Sequence, residues 1–359
     1  MQYNRKIDVI IPAYNVSDKL LFRCLSSIAS QSLIDDIKVT VVDDASTEEN
    51  YQNIINIFSD MMDIQLLRME ENKGPGVARQ YGIDHTDNEF ITFIDADDTY
   101  SDSYGLRKLR DAISADEAKY EVSVGLFYET IENPTPQEIS DIEDFEKITI
   151  ENNDFLAIFE HLSDMIWVFA KLYRREFLEQ NNIRFHPTSR ANEDNGFNSL
   201  ITLYIDDDKI NYISDYIYYW YGGNQNSITR MDNKAYSYTD DINGSFYGYV
   251  ENMIYAIEHA PVDIPVPKLQ FFVCQIMVNL YTYYLECSRF SPDTVDSNFQ
   301  YCKNFYKKFK DICDDLPQEC IESVYSEGMK KAYQTNNFYN IIPHITFYQF
   351  LELCEEESD

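Results

Sequence analysis

Asp95, Asp97 and Asp98 follow directly on Phe90–Ile94, five aromatic or β-branched residues without a charge that read as a buried strand. Carboxylates crowded at the end of an apolar strand repel one another, and burying them is costly unless a cation compensates. In open α/β sheets ligands bind at the carboxyl ends of strands. A hard divalent ion with oxygen ligands, shared with a phosphate, is the natural counter-ion for such a group. An acidic turn capping a helix that starts near Asp102 would use the same residues. A second acidic pair, Glu193 and Asp194, opens an apolar helix, and taken alone it is ordinary capping chemistry. His186, beside Pro187, reads as a structural histidine rather than a metal ligand. Trp220 ends a tyrosine-rich strand and offers an aromatic face for stacking on a ring.

The elements that must position these groups alternate from residue 7 to 95. Ile7–Tyr14 is a strand and Ser17–Gln31 a helix; Ile37–Asp44 is a strand and Glu48–Met61 a helix; Ile64–Glu70 is a strand, Gly76–His85 a helix, and Phe90–Asp95 a strand. Strand–helix alternation with nearly continuous apolar strands predicts a parallel sheet covered on both faces. Three strands then end in polar residues at one edge: Tyr14 with Asn15, Asp43 with Asp44, and Asp95 with Asp97. That convergence is the first evidence for a site. No G-x-G-x-x-G follows the first strand and no G-x-x-x-x-G-K-[ST] occurs, so dinucleotide and P-loop readings lose support. The glycines of Gly74–Gly82 read as turn and close-packing devices, with Arg79 on the helix between them.

Beyond the acids, residues 101–119 read as a helix and Tyr120–Thr130 as a strand. Asn133–Glu151 is an acidic excursion with two prolines, and Asp154–Ser163 reads as a helix. Trp167–Tyr173 is apolar, a short helix follows, and Lys209 opens a strand that runs into a Gly/Asn loop. After about residue 231 the pattern turns to long helices: Tyr247–Ala260, Leu269–Arg289, Asp293–Asp314, Gln318–Gln334 and Phe347–Cys354, with Val262–Lys268 as a rigid linker. The expected domains are 1–230, carrying the chemistry, and 231–359, a helical accessory domain that covers it or contacts another subunit.

Composition narrows the partners. The 359 residues hold 29 Lys and Arg against 62 Asp and Glu, a net charge of −33. That field disfavours nucleic acid and anionic lipid surfaces. It also repels an anionic small molecule, so such a substrate needs local compensation by metal and backbone amides. The seven cysteines are scattered with no C-x-x-C pair, which leaves neither a disulfide framework nor a zinc spacing. No leader-like h-region and no run of ~18 apolar residues is present, so a soluble protein of the reducing cytoplasm is expected.

The order of these pieces resembles the family 2 glycosyltransferases, over residues 5 to about 230. IDVIIPAYNV is similar to that family's opening strand, FRCLSSIASQSL to the helix ending in its Gln-Ser/Thr signature, and VVDDAS to its nucleotide-binding Asp-Asp-x-Ser. ENKGPGVARQYGI is similar to the Asn-x-Gly…Ala-Arg-Asn-x-Gly-Ile stretch, with Gln80 where Asn is usual. FIDADD resembles the metal-binding Asp-x-Asp, and the block from Lys171 to Phe197 resembles the closing block with its Glu-Asp pair. Each motif is weak alone; six in order are strong.

The resemblance implies a GT-A-type nucleotide-sugar-binding domain with a mostly parallel central sheet, followed by an α-helical domain. It implies that Pro12, Ala13, Tyr14 and Asp44 hold the nucleoside, and that Asp97 with Asp95 binds Mn²⁺ or Mg²⁺ on the diphosphate. Asp194 would be the general base, and Trp220 a donor-side contact. Asp98 reads as a supporting or capping residue. The implied reaction is inverting sugar transfer from a nucleotide-diphosphate donor, a UDP-sugar first, to a hydroxyl of a glycan or lipid-linked acceptor, with peripheral membrane association where that acceptor is membrane-bound. One departure is Tyr221-Gly222 where members often have Tyr-Arg before Ser227-Ile228-Thr229; Arg230 or Lys171 are the candidate substitutes. A catalytically inactive relative that binds sugar nucleotides or a partner is the alternative. A nucleotidyltransferase would call for a basic, glycine-rich loop after the first strand, which IPAYNVSDK lacks.

Overall fold

A computed structural model describes residues 6–47, 51–115, 120–130, 167–221, 245–290, 292–322, 324–326 and 345–356. The expected alternation is present: β1 (Ile7–Ala13), α1 (Asp18–Ala29), β2 (Ile37–Asp43), α2 (Gln52–Phe58), β3 (Asp63–Arg68), α3 (Pro75–Asp84) and β4 (Phe90–Phe93). There follow β5 (Thr99–Tyr100), α4 (Gly105–Ile113), β6 (Val122–Thr130), β7 (Lys171–Arg174), α5 (Arg175–Gln180), α6 (Glu193–Tyr204) and β8 (Ile210–Tyr221). The eight strands form one sheet in the order β3-β2-β1-β4-β7-β6-β8-β5. β1 runs parallel to β2 and β4, β2 to β3, and β6 to β8; β7 is antiparallel to β4 and β6, and β5 to β8.

Both faces of the parallel part are covered, as apolar strands require. α1 buries Leu21, Cys24, Leu25 and Ile28, one stripe at helical spacing, against Ile7, Val9 and Ile11 of β1 and Val39 and Val41 of β2. α3 takes the other face. Gly82 lies so close to the sheet there that a Cβ would come within 2.5 Å of Ile10 and 3.3 Å of Val42. Gly74, at φ 90°, makes the turn into α3, so the glycines of this stretch serve turning and packing.

Several boundaries differ from the sequence reading. The helix expected over 101–119 is confined to Gly105–Ile113, because Thr99–Tyr100 pairs with β8 and Asp102 then holds the Tyr104 amide in a local turn (2.7 Å). The excursion at 133–151, the helix at 154–163, the loop after Tyr221 and the positions Gly222 and Arg230 lie outside the described residues.

The chain divides into two compact units, Met1–Thr188 with Phe197–Arg230, and Ser189–Gly196 with Met231–Asp359. The second contains α7 (Ser245–Glu258), α8 (Val266–Phe290), α9 (Val295–Lys308), α10 (Lys310–Asp314) and α11 (Phe347–Glu355). α8 starts inside the stretch read as a linker, because Pro267 falls in its first turn, where a missing N–H costs nothing. The helix expected over 293–314 breaks at Phe309, whose φ of −115° and ψ of 28° leave the helical region. α11 begins with a capping box, Thr346 and Gln349 each bonding the other's backbone amide. All seven cysteines are free thiols.

At the amino edge of the sheet a buried ion pair fastens α5 to β1. Arg175 Nη2 bonds Asp8 Oδ2 (2.9 Å), while Asn88 donates to both Asp8 oxygens (2.8 Å each). The remaining guanidinium hydrogens go to the Asn88 and Ile83 carbonyls and the Thr86 hydroxyl. Removing one partner strands the other in the core. Asp8→Ala should therefore cost about 3–5 kcal/mol of unfolding free energy, measured by urea denaturation.

Candidate functional site

The carboxyl edge of β1, β2 and β4 gathers the residues singled out from the sequence. Register sets Ala13 beside Asp43, and backbone bonds continue past the strands: the Asp44 amide donates to the Ala13 carbonyl (2.9 Å) and that of Ile94 to Ile10 (3.2 Å). Tyr14 is exposed at this edge. The turn after it is cross-braced, since Asn15 N donates to Ser46 Oγ (3.0 Å) and Asn15 Oδ1 accepts from Thr47 N (2.9 Å). The backbone is strained here: Asn15, Ala45 and Ala170 all have φ between 49° and 59°. For alanine that is a sparsely populated region, and such outliers gather at functional sites.

Asp43 and Asp44 differ in use. Asp43 is buried, pairs with Arg68 and accepts from Ser46 N (2.8 Å), so it braces the turn. Asp44 is also buried; its two oxygens accept the Lys73 and Gly74 amides (2.8 Å each), which ties the loop before α3 to the β2 tip.

The acids after β4 are each held differently. Asp95 pairs through Oδ1 with Arg79 Nη2 of α3 at 2.8 Å; the arginine is 3% exposed and the aspartate side chain 31%. The Asp97 carbonyl accepts from Arg23 of α1, whose guanidinium lies 4.1 Å over the Tyr221 ring. Asp98 turns inward: Oδ2 accepts from Tyr218 Oη (2.5 Å) and Oδ1 from Tyr221 N (2.7 Å), linking the acid loop to β8. Burial pushes the Asp98 carboxyl well above the usual carboxylate range, and the charges of Asp95 and Asp97 push it further. Burial likewise raises the Tyr218 phenol, with Asp98 adding to it. Gln31 closes the loop from behind, donating to the Asp102 carbonyl (2.6 Å) and accepting from Leu106 N (3.1 Å).

Pro12, Ala13, Tyr14, Asp44, Asp95 and Asp97 thus share one edge of the first unit. Trp220 sits half-buried one residue before Tyr221, in a cluster with Trp167 (5.5 Å), Phe169 (6.3 Å) and Phe127 (6.4 Å). Lys171 is buried, with Nζ directed at the Phe169 carbonyl (3.4 Å). His186 accepts the Thr188 amide at Nδ1 (3.2 Å), a local turn. Glu193 and Asp194, both buried, form the first turn of α6 within the segment that belongs to the second unit. Sequence reasoning missed three contributors. In the sequence Arg79 reads as a helix residue and Tyr218 as a sheet tyrosine, and nothing local marks Arg23; their roles come from contacts with distant segments.

Among the described residues no group of three or more His, Cys, Asp or Glu side chains is arranged to hold a metal ion. Nor is any described helix long and apolar enough to cross a membrane. The hydrogen bonds separate the buried Asp98 from the partly exposed Asp95 and Asp97. Asp98→Ala should lower the unfolding free energy by about 2–4 kcal/mol, through loss of two buried bonds. Asp97→Ala should cost less than about 1 kcal/mol, since it relieves like-charge repulsion. Paired thermal and urea melts of the two variants check this.

Residues 8–181 match the family described as Glycosyl transferase family 2. Among curated proteins, the glycosyltransferase GlyA of Streptococcus pneumoniae is 30% identical over 229 residues, covering 61% of this chain and 31% of that protein. The poly(ribitol-phosphate) beta-glucosyltransferase of Bacillus spizizenii is 26% identical over 263 residues, covering 72% and 38%. The chain thus spans about a third of the length of these relatives. Among solved structures, S. aureus TarS 1-349 in complex with UDP-GlcNAc superposes with a TM-score of 0.60 at 19% identity, covering 93% of each chain. That likeness gives the fold, which is the GT-A fold. Over residues 8–181, just under half of its length, the chain is thus similar to glycosyl transferase family 2.

Proposed function

We propose that the chain is an inverting glycosyltransferase that moves a sugar from a UDP-sugar to a hydroxyl of a glycan or cell-wall polymer. The observation that carries this reading is the acid loop after β4. Asp98 and Arg79 hold the loop from inside, while Asp95 and Asp97 stay partly exposed beside Asp44 at one sheet edge. The donor assignment is supported by the TarS structures with UDP-GlcNAc and UDP. The acceptor class is supported by the names of the poly(ribitol-phosphate) transferases among the relatives.

In this reading residues 1–230 are the catalytic domain and 231–359 a helical accessory domain. The Pro12–Tyr14 backbone and Asp44, whose oxygens accept the Lys73 and Gly74 amides, receive the nucleoside. Asp95 and Asp97 fit a hard divalent ion of the Mn²⁺ or Mg²⁺ type. They are oxygen donors, their joint charge already raises Asp98, and two carboxylates suffice where phosphate oxygens complete the shell. A mannosyltransferase of Pyrobaculum calidifontis, similar in fold with a TM-score of 0.51, was solved with GDP-Man and Mn²⁺. When bound, such an ion supplies Lewis-acid neutralisation of the departing diphosphate. Asp194 takes the proton of the acceptor hydroxyl. The acceptor oxygen bonds the anomeric carbon from the face opposite UDP, and the electron pair of the broken C–O bond leaves with the β-phosphate. The free thiols suit a reducing, cytoplasmic setting.

Calorimetry and transfer assays on two variants test the roles. Asp97→Asn should abolish Mn²⁺-dependent UDP binding, and retained binding would remove Asp97 from the metal site. Asp194→Asn should bind UDP as the wild type does while losing transfer by ~10²-fold or more. Undiminished transfer would return Asp194 to the role of a helix cap.

A further inference from the structure

The segment Ser189–Gly196, which carries Glu193 and Asp194, packs with α7 in the second unit. One buried side chain of α7 bonds it at two points. Asn252, in the middle of α7 and fully buried, donates from Nδ2 to Ser189 Oγ (2.8 Å), the Ala191 carbonyl (3.0 Å) and the Gly248 carbonyl one turn back (2.7 Å). Ser189 Oγ in turn donates to the Ala191 carbonyl (2.9 Å). Two glycines allow the approach. A Cβ at Gly248 would lie 2.4 Å from the Ala191 oxygen, and one at Gly196 would lie 2.2 Å from Asn252 Oδ1. Asn192, between the clamped carbonyl and Glu193, sits at φ 57°.

Each of these choices costs stability. A mid-helix glycine costs about 1 kcal/mol against alanine, and asparagine is a poor helix former. Asn252 Oδ1 is buried without a hydrogen-bond partner, a penalty of about 1–3 kcal/mol. An apolar contact between helix and loop would avoid all three. What the asparagine supplies and an apolar residue lacks is a donor fixed on the backbone two and three residues before the acidic pair. We infer that Asn252 is a positioning residue for Asp194: through Ser189 and Ala191 it fixes where the first turn of α6 begins and therefore where the base is presented. This rests on the reading of Asp194 as the base.

The test uses the full chain and compares wild type, Asn252→Leu, which fills the space without donating, and Asp194→Asn. Three quantities are read: hydrogen exchange of amides 192–197, UDP affinity with Mn²⁺ by calorimetry, and UDP release from UDP-GlcNAc and UDP-glucose. Asn252→Leu should speed exchange in that stretch about tenfold or more, the equivalent of one to two hydrogen bonds. It should leave UDP affinity and donor KM unchanged and lower kcat by ~10²-fold, as misplacing a base does. Asp194→Asn should share the kcat loss without the faster exchange. Asn252→Ala, which only empties the notch, carries the same expectations should the leucine variant not fold. Unchanged exchange at 192–197, undiminished turnover, or loss of UDP affinity together with turnover would each overturn the inference. A wild type that neither binds UDP nor consumes either donor would instead overturn the transferase reading, while the exchange comparison still decides whether Asn252 holds the loop.

Discussion

Three carboxylates within four residues at the tip of β4 repel one another, and much of the first unit is arranged to contain that repulsion. Arg79 reaches from α3 to Asp95, Arg23 from α1 to the Asp97 backbone, and Tyr218 with the Tyr221 amide from β8 to Asp98. The supporting groups therefore come from elements up to 123 residues away in sequence. Compensation is incomplete by construction. Asp98 is satisfied by hydrogen bonds yet held above the usual carboxylate range, because burial and two neighbouring charges outweigh them.

The two edges of the same sheet hold their acids differently. At the amino edge Asp8 is fully buried and bonded by Arg175 and Asn88, a network with structural consequences. At the carboxyl edge Asp95 remains partly exposed, and Ala45 and Ala170 hold left-handed backbone that costs of order 1–3 kcal/mol each. Ala170 immediately precedes β7, whose antiparallel pairing with β4 carries it to the same edge as the acids. A similar concession recurs in the second unit, where Gly248, Gly196 and the unpaired Asn252 carbonyl accompany the loop of Asp194. Unfavourable local choices thus gather at the acid-bearing edge and at the loop of Asp194.

The sheet was legible in the sequence because β1, β2 and β4 are buried on both faces and read as continuous apolar runs, and their parallel order brings their polar tips together by topology alone. Helix ends were less legible. The start of α4, the first turn of α8 and the break at Phe309 depend on strand pairing, proline placement and cap geometry that residue types only suggest. The strand order beyond β4 was not readable, since β7, β6 and β8 pair out of sequence order.

Residue chemistry alone determined which acids gather at one sheet edge, that the chain carries a net charge of −33, and that its thiols form no covalent framework. Hydropathy period and charge are local properties, written residue by residue. Only the tertiary structure decided which of the three acids is support, which arginine neutralises Asp95, and that Ser189–Gly196 goes with the helices rather than with the sheet. Those are matters of direction and distance between side chains far apart in the chain. Packing fixes them, and no short-range pattern records them.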